Sequence, residues 1–194
     1  MEKVLKIDEF IKDEELSKLQ AFFQQNVLWQ FGWLSNRDKT PFGHWNHDFL
    51  KTHHNNQDDA SPQLESPDLA PINQLWKRLQ SSELAGHSLV RCYANAHTFG
   101  IEGYPHVDSK LPGNFTTIVY LNPAWKPEWA GETVFMNDEG DIHKSILPRP
   151  GRAVIFDGRI THAVRALTRI CPAMRVTLMF KTTSAGSKHD STSP

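Results

Sequence analysis

From Ser88 onward the chain is a succession of short β-rich runs: 89–94, 115–121, 133–136, 142–147, 153–156, 163–166 and 174–181. Turn residues separate them, notably Pro112-Gly113, Glu139-Gly140 and Pro150-Gly151. Strands this short must pair and stack to bury their apolar faces, so the pattern predicts an antiparallel sandwich or barrel. The preceding part reads as helices and loops. Asp13 is placed as the cap of a helix with Glu14 and Glu15 in its first turn, and Leu16, Leu19, Phe22 and Phe23 form its apolar face. A second helix starts near Pro71, with Leu69, Ile72, Leu75, Trp76 and Leu79 as its stripe. The expected fold is mainly β with N-terminal helices. One domain spans 1–183, its β core covers about 88–181, and Ser/Thr-rich residues 184–194 form a flexible tail.

The 194 residues carry 21 Lys+Arg against 22 Asp+Glu, a formal net charge of -1. No basic stripe is present, so nucleic acid is not an expected partner. No apolar run approaches the roughly 18 residues of a membrane span. The start, Met1-Glu2-Lys3-Val4, lacks the apolar core of a secretory signal. Two cysteines, Cys92 and Cys171, argue against a disulfide scaffold and for a reducing compartment, so a cytoplasmic location is expected.

Ten histidines make metal chemistry the question to test. In a strand, residues two apart share a face, so His106 and Asp108 of His106-Val107-Asp108 can converge on one ion while Val107 points away. His162, downstream of the run 153–156, supplies a third ligand. Two imidazoles and one carboxylate leave three adjacent positions open on an octahedral ion, the arrangement of non-haem Fe(II) oxygenases.

Arg175 is the second element. Arg175, Thr177 and Met179 share one face of the last strand, and Val176, Leu178 and Phe180 share the other. If the apolar trio packs on a helix, Arg175 and Thr177 point into the barrel. A guanidinium buried there needs an anion, and a carboxylate matches its planar donor fork.

The ordered set Cys92-Tyr93, His106-Val107-Asp108, Ile118-Val119-Tyr120-Leu121-Asn122, Gly131-Glu132-Thr133, Pro150-Gly151-Arg152-Ala153-Val154-Ile155-Phe156, His162-Ala163-Val164 and Arg175-Val176-Thr177-Leu178 resembles the 2-oxoglutarate and Fe(II)-dependent oxygenases, particularly their prolyl-4-hydroxylase-like branch. The resemblance covers roughly residues 89–181. It implies a double-stranded β-helix, or jelly roll, backed by helices. It implies Fe(II), the cosubstrate 2-oxoglutarate and O2, with ascorbate as a reductant for the iron. It assigns His106, Asp108 and His162 to the metal and to catalysis. Arg175 would pair with the distal carboxylate of 2-oxoglutarate, Tyr120 would hydrogen-bond that carboxylate, and Tyr93 and Thr177 would line the pocket. The implied reaction hydroxylates a C–H bond of a small molecule, amino acid or peptide, releasing succinate and CO2. Asp108 favours hydroxylation, because the related halogenases lack that carboxylate. One departure is the longer stretch from His162 to Arg175, which admits Arg165 and Arg169 as rivals for the carboxylate. Arg91, on Tyr93's face, is a third.

A cupin-like metal-dependent isomerase or hydrolase, and a non-catalytic jelly-roll binding module, are the alternatives. The first does not require Arg175 in the pocket, and the intact triad with Arg175 argues against the second. The non-periodic segment 35–68 is expected to be a lid, with Phe42, Trp45 and Phe49 closing on substrate and His47 orienting it. His44, His47, His53 and His54 cluster there without a standard metal-finger spacing. His97 is placed near the pocket mouth, and His87, His143 and His189 on the surface. Cys92 is expected to be buried facing away from Tyr93, and Cys171 lies in a Pro-flanked loop.

Overall fold

The computed structural model describes residues 4–35, 42–52 and 57–184. Helix α1, Asp13–Asn26, buries Leu16, Leu19 and Phe23. Asp13 is its first residue rather than its cap. Lys12 occupies the cap position without a side-chain bond, and Asp13, Glu14 and Glu15 all sit in the first turn, where acidic groups favour the helix dipole. Helix α2, Ala70–Gln80, carries Pro71 in its first turn and buries Ile72, Leu75, Trp76 and Leu79.

Among the described residues, ten strands form two antiparallel sheets. They are β1 (Leu5–Ile7), β2 (Gln30–Trp33), β3 (His44–Asp48), β4 (His87–His97), β5 (Asn114–Tyr120), β6 (Thr133–Met136), β7 (Ile142–Ile146), β8 (Ala153–Asp157), β9 (His162–Val164) and β10 (Arg175–Ser184). The large sheet runs β1-β8-β5-β10-β4-β3-β2, and the small one β7-β6-β9. Two packed antiparallel sheets with helices on one outer face make the expected jelly roll. The last strand includes Ser184, which pairs with His87. The rest of the proposed tail, like His189, lies outside the described residues.

Alternation along the central strands builds two cores. Cys92 and Ala94 of β4, Val119 of β5, Ile155 of β8, and Leu178 and Phe180 of β10 face the helices, where Trp76 stacks on Phe180 at 6.3 Å. Tyr93, Ile118, Val154, Phe156 and Met179 face the other way, meeting Phe135 and Ile146 of the small sheet. The apolar trio of the last strand therefore packs as its period predicts, although Val176 is only partly buried. That leaves Arg175, Thr177 and Lys181 turned toward the space between the sheets.

Three strands, β1, β2 and β3, lie where the sequence shows no period. β3 falls inside the proposed lid and pairs with β4, Trp45 opposite Ala96 and His47 opposite Ala94. This places Trp45 and His47 on the helix side of the sheet. His47 contacts the Leu28 carbonyl at 3.2 Å, and Phe49 packs on Phe22 and Phe23. These side chains do not close on the cavity, and Phe42 is largely exposed. Among the described residues of 35–68, Ser35 and Gln57 border it. Residues 36–41 and 53–56, with His53 and His54, lie outside the described residues.

Candidate metal centre and its cavity

His106, Asp108 and His162 come together at one end of the small sheet. The ligand atoms they offer lie within 4.8 Å of one another. Nε2 of His106 is 3.5 Å from Asp108 Oδ1, and Nε2 of His162 is 3.4 Å from Asp108 Oδ2. The convergence is not made by a strand, as the two-residue spacing had suggested. His106 forms a single β-bridge with His162, bonded in both directions at 3.1 and 3.0 Å. The chain then turns, and the backbone N–H groups of Asp108 and Ser109 both donate to the Gly158 carbonyl. Val107 is 38% exposed and carries no core packing.

The donor set suits a divalent metal. Nδ1 of His106 is 2.7 Å from the Tyr104 carbonyl, and Nδ1 of His162 is 3.0 Å from the Ile160 carbonyl. A carbonyl can only accept, so each Nδ1 carries the proton and each Nε2 presents its lone pair to the cluster. Burial, only partly offset by Asp108, lowers the His162 pKa to about 4, which keeps the ring neutral as a ligand must be. Rings of Phe156 and Phe135 back that imidazole at 4.7 and 6.1 Å. Burial opposes ionisation of Asp108, but the Lys181 ammonium holds its carboxyl well below the usual range. Its Oδ2 accepts from Thr116 Oγ1 at 2.6 Å and from Lys181 Nζ. Sequence reasoning missed both residues. Lys181 lies on the Arg175 face of its strand, six positions on, and that alternation was the available signal.

The triad borders a cavity of about 540 Å³, well within the range of small-molecule sites. Its far wall holds Arg175, which is 1% exposed. Arg175 Nε donates to the Gly131 carbonyl at 2.8 Å and Nη2 to Thr133 Oγ1 at 2.9 Å, while the Tyr120 ring lies 5.2 Å from the guanidinium carbon. No carboxylate among the described residues pairs with it. Asn122 clamps the chain on both sides of Arg175, donating to the Met174 carbonyl and accepting from the Val176 N–H. Gly131 permits the close approach: it sits at φ +77°, and a Cβ there would lie 3.3 Å from Arg175 Cδ.

Thr177 and Tyr93 line the cavity. Tyr120 does not. It is fully buried, and its hydroxyl meets Thr133 Oγ1 at 2.7 Å, so it acts on the cavity through Thr133. The rivals of Arg175 separate cleanly. Arg165 and Arg169 are exposed, the latter over the Phe99 ring. Arg91 lines the cavity at its other end. His97 is no rim residue but a buried wall residue, opposite Arg175 in the ladder and stacked on His44 at 4.8 Å. Burial and Arg175 keep both rings neutral, the His44 pKa falling to about 4 and that of His97 well below its ordinary value. His87 is half-buried, 3.2 Å from Thr182 Oγ1, rather than a surface residue, whereas His143 is exposed. Cys92 is buried on the helix side, and Cys171 is a partly buried free thiol.

Residues 90–180 match the model of the 2OG-Fe(II) oxygenase superfamily. Among solved structures, the fold is similar to an oxidoreductase of the 2OG-Fe(II) oxygenase family from Burkholderia pseudomallei. That match has a TM-score of 0.71 and 15% identity, covering 93% of this chain and 84% of that one. A prolyl-4-hydroxylase from Pseudomonas putida matches with a TM-score of 0.63 and 18% identity over 96% of this chain and 95% of its own. A prolyl hydroxylase from Trichoplax adhaerens, solved with a hypoxia inducible factor peptide fragment, gives a TM-score of 0.60 and 17% identity. It covers 98% of this chain and 87% of that one. Identities this low speak to the fold alone. A search of curated proteins by sequence finds no match.

Proposed function

Because residues 90–180 belong to the 2OG-Fe(II) oxygenase superfamily, we propose that residues 1–183 form a single oxygenase domain that hydroxylates a C–H bond of a small molecule. The protein is an Fe(II)/2-oxoglutarate-dependent dioxygenase. The substrate, the residues in each role and the release of succinate and CO2 are the reading offered here. It is carried by one observation: a metal-competent His106–Asp108–His162 cluster shares its cavity with a buried guanidinium, Arg175, that lacks a carboxylate partner among the described residues.

In this reading Nε2 of His106, Nε2 of His162 and a carboxylate oxygen of Asp108 hold the iron. Bound Fe(II) supplies the redox chemistry that couples O2 to oxidation of 2-oxoglutarate and substrate. Thr116 and Lys181 fix the Asp108 carboxylate. Arg175 receives the distal carboxylate of 2-oxoglutarate, with Thr133 orienting the guanidinium and Thr177 beside it. His44 and His97, both neutral, add no competing charge near that carboxylate. Packing by Phe135 and Phe156 shields the His162 side from water. No described helix is long and apolar enough to cross a membrane.

The reading is tested by anaerobic titration of the Fe(II)-loaded protein with 2-oxoglutarate, followed by succinate assay in air. A visible charge-transfer band and succinate release are expected. Metal binding with neither would favour the cupin-like reading, which has no use for Arg175 in the cavity.

A further inference from the structure

We infer that the substrate carries a carboxylate, and that Arg91 and Lys181 bind it at the end of the cavity away from Arg175. This rests on the oxygenase reading above and deepens it. Among the described residues lining the cavity, four are cationic, Arg91, Lys110, Arg175 and Lys181, and one is anionic, Asp108. Loading the site does not redress this balance, because Fe(II) and doubly ionised 2-oxoglutarate cancel. Lys110 is exposed to water, which screens it. Asp48 stands 3.9 Å from Arg91, at the limit of an ion pair, and is itself 47% exposed. The surplus positive charge therefore resides on Arg91 and Lys181, whose side chains are only 12% and 14% exposed.

These two residues are direct cross-strand partners in the β10–β4 ladder. Like charges placed opposite each other repel, and buried charge is costly without a counter-ion. Asp108 answers only part of this, since it also serves the metal. The surrounding side chains hold the pair ready. The Arg91 guanidinium lies 4.8 Å from the Tyr93 ring centroid and 5.3 Å from that of Trp33, which fixes the plane of its donor fork. One anion cannot serve both ends of the cavity. In the same ladder Arg175 pairs with His97, six residues from the Lys181–Arg91 rung, or ~20 Å along an extended strand. With 2-oxoglutarate committed to Arg175, the other end, where the Lys181 ammonium also touches Asp108 of the cluster, is left for an anion on the substrate.

The test uses the Fe(II)- and 2-oxoglutarate-loaded protein and matched probes: free amino acids and small carboxylic acids, each against its carboxamide. Succinate release is measured in air, and direct binding by calorimetry under nitrogen. Stimulation and binding are expected from carboxylates and not from their amides. In Arg91→Gln the carboxylate concentration for half-maximal binding should rise about tenfold or more, with the 2-oxoglutarate charge-transfer band still formed. Arg91→Lys should recover part of that loss. Amides that stimulate and bind as well as acids, or a panel in which no carboxylate does either, would overturn the inference. Absence of the charge-transfer band in the unaltered protein would instead count against the oxygenase reading, so the two failures are told apart.

Discussion

The Tyr120 and Thr133 hydroxyls meet at 2.7 Å behind the Arg175 guanidinium. Thr133 Oγ1 also accepts from Arg175 Nη2 at 2.9 Å. Tyr120 thus positions the cationic end of the cavity without lining it. In Tyr120→Phe the pocket keeps its shape and charge but loses one buried hydrogen bond, worth about 1 kcal/mol. The apparent affinity for 2-oxoglutarate should fall about fivefold, and iron content should be unchanged. A fall as large as that of an Arg175 variant would mean that Tyr120 touches the cosubstrate directly.

Arg175→Gln removes the charge while retaining some hydrogen bonding. Removing one side of a charge-assisted pair costs about 2–5 kcal/mol, so 2-oxoglutarate affinity should drop well over tenfold. Arg165→Gln and Arg169→Gln, both at exposed positions, should leave it alone. Titration of the anaerobic charge-transfer band in all three variants decides the assignment.

His106→Ala and Asp108→Ala should abolish iron binding and succinate release together, since each removes one of three ligands. Secondary structure by circular dichroism should persist, because the sheets are built on Phe135, Phe156 and Phe180 rather than on the cluster. In Asp108→Ala, Lys181 also loses its carboxylate partner, so this variant should be the less stable of the two. Stoichiometric iron retained in either protein would sink the triad.

Far from the site, Arg152 Nε donates to Asp8 Oδ1 at 2.6 Å, tying the end of β1 to the start of β8. The Arg152 hydrogen bond holds the Asp8 carboxyl below its ordinary value. A depressed carboxyl pKa gives stability that is complete above the unfolded value, about 4, and is lost as pH falls through the folded one. Asp8 is half-exposed, so Asp8→Asn should cost only about 1 kcal/mol near pH 7. That difference should shrink below about pH 4 and vanish in stronger acid. Urea melts at a series of pH values would show it, and a gap that widens on acidification would contradict the pairing.

The sequence by itself determined the local features. Helical spacing located both helices, because Leu16, Leu19, Phe23 and Ile72, Leu75, Leu79 repeat every three or four residues. Alternation placed Arg175 and Thr177 on the face opposite Leu178 and Phe180. Ligand chemistry picked out His106, Asp108 and His162. Strands β1, β2 and β3 stayed hidden because Leu5–Ile7, Gln30–Trp33 and His44–Asp48 are not β-branched apolar runs of the kind that marked β6 and β8, and pairing with a neighbour is what makes them strands. Only the tertiary structure decided the register of β10 against β4. That register sets Lys181 against Arg91 and Arg175 against His97, and the pairing of β3 with β4 turns Trp45 and His47 away from the cavity. The tertiary structure also replaced an expected strand at His106–Asp108 by one bridge to His162 and a turn held on the Gly158 carbonyl. Spacing along a chain fixes which face a side chain takes. Which residue it meets depends on hydrogen bonds between segments far apart in sequence, and those form only when the sheets close.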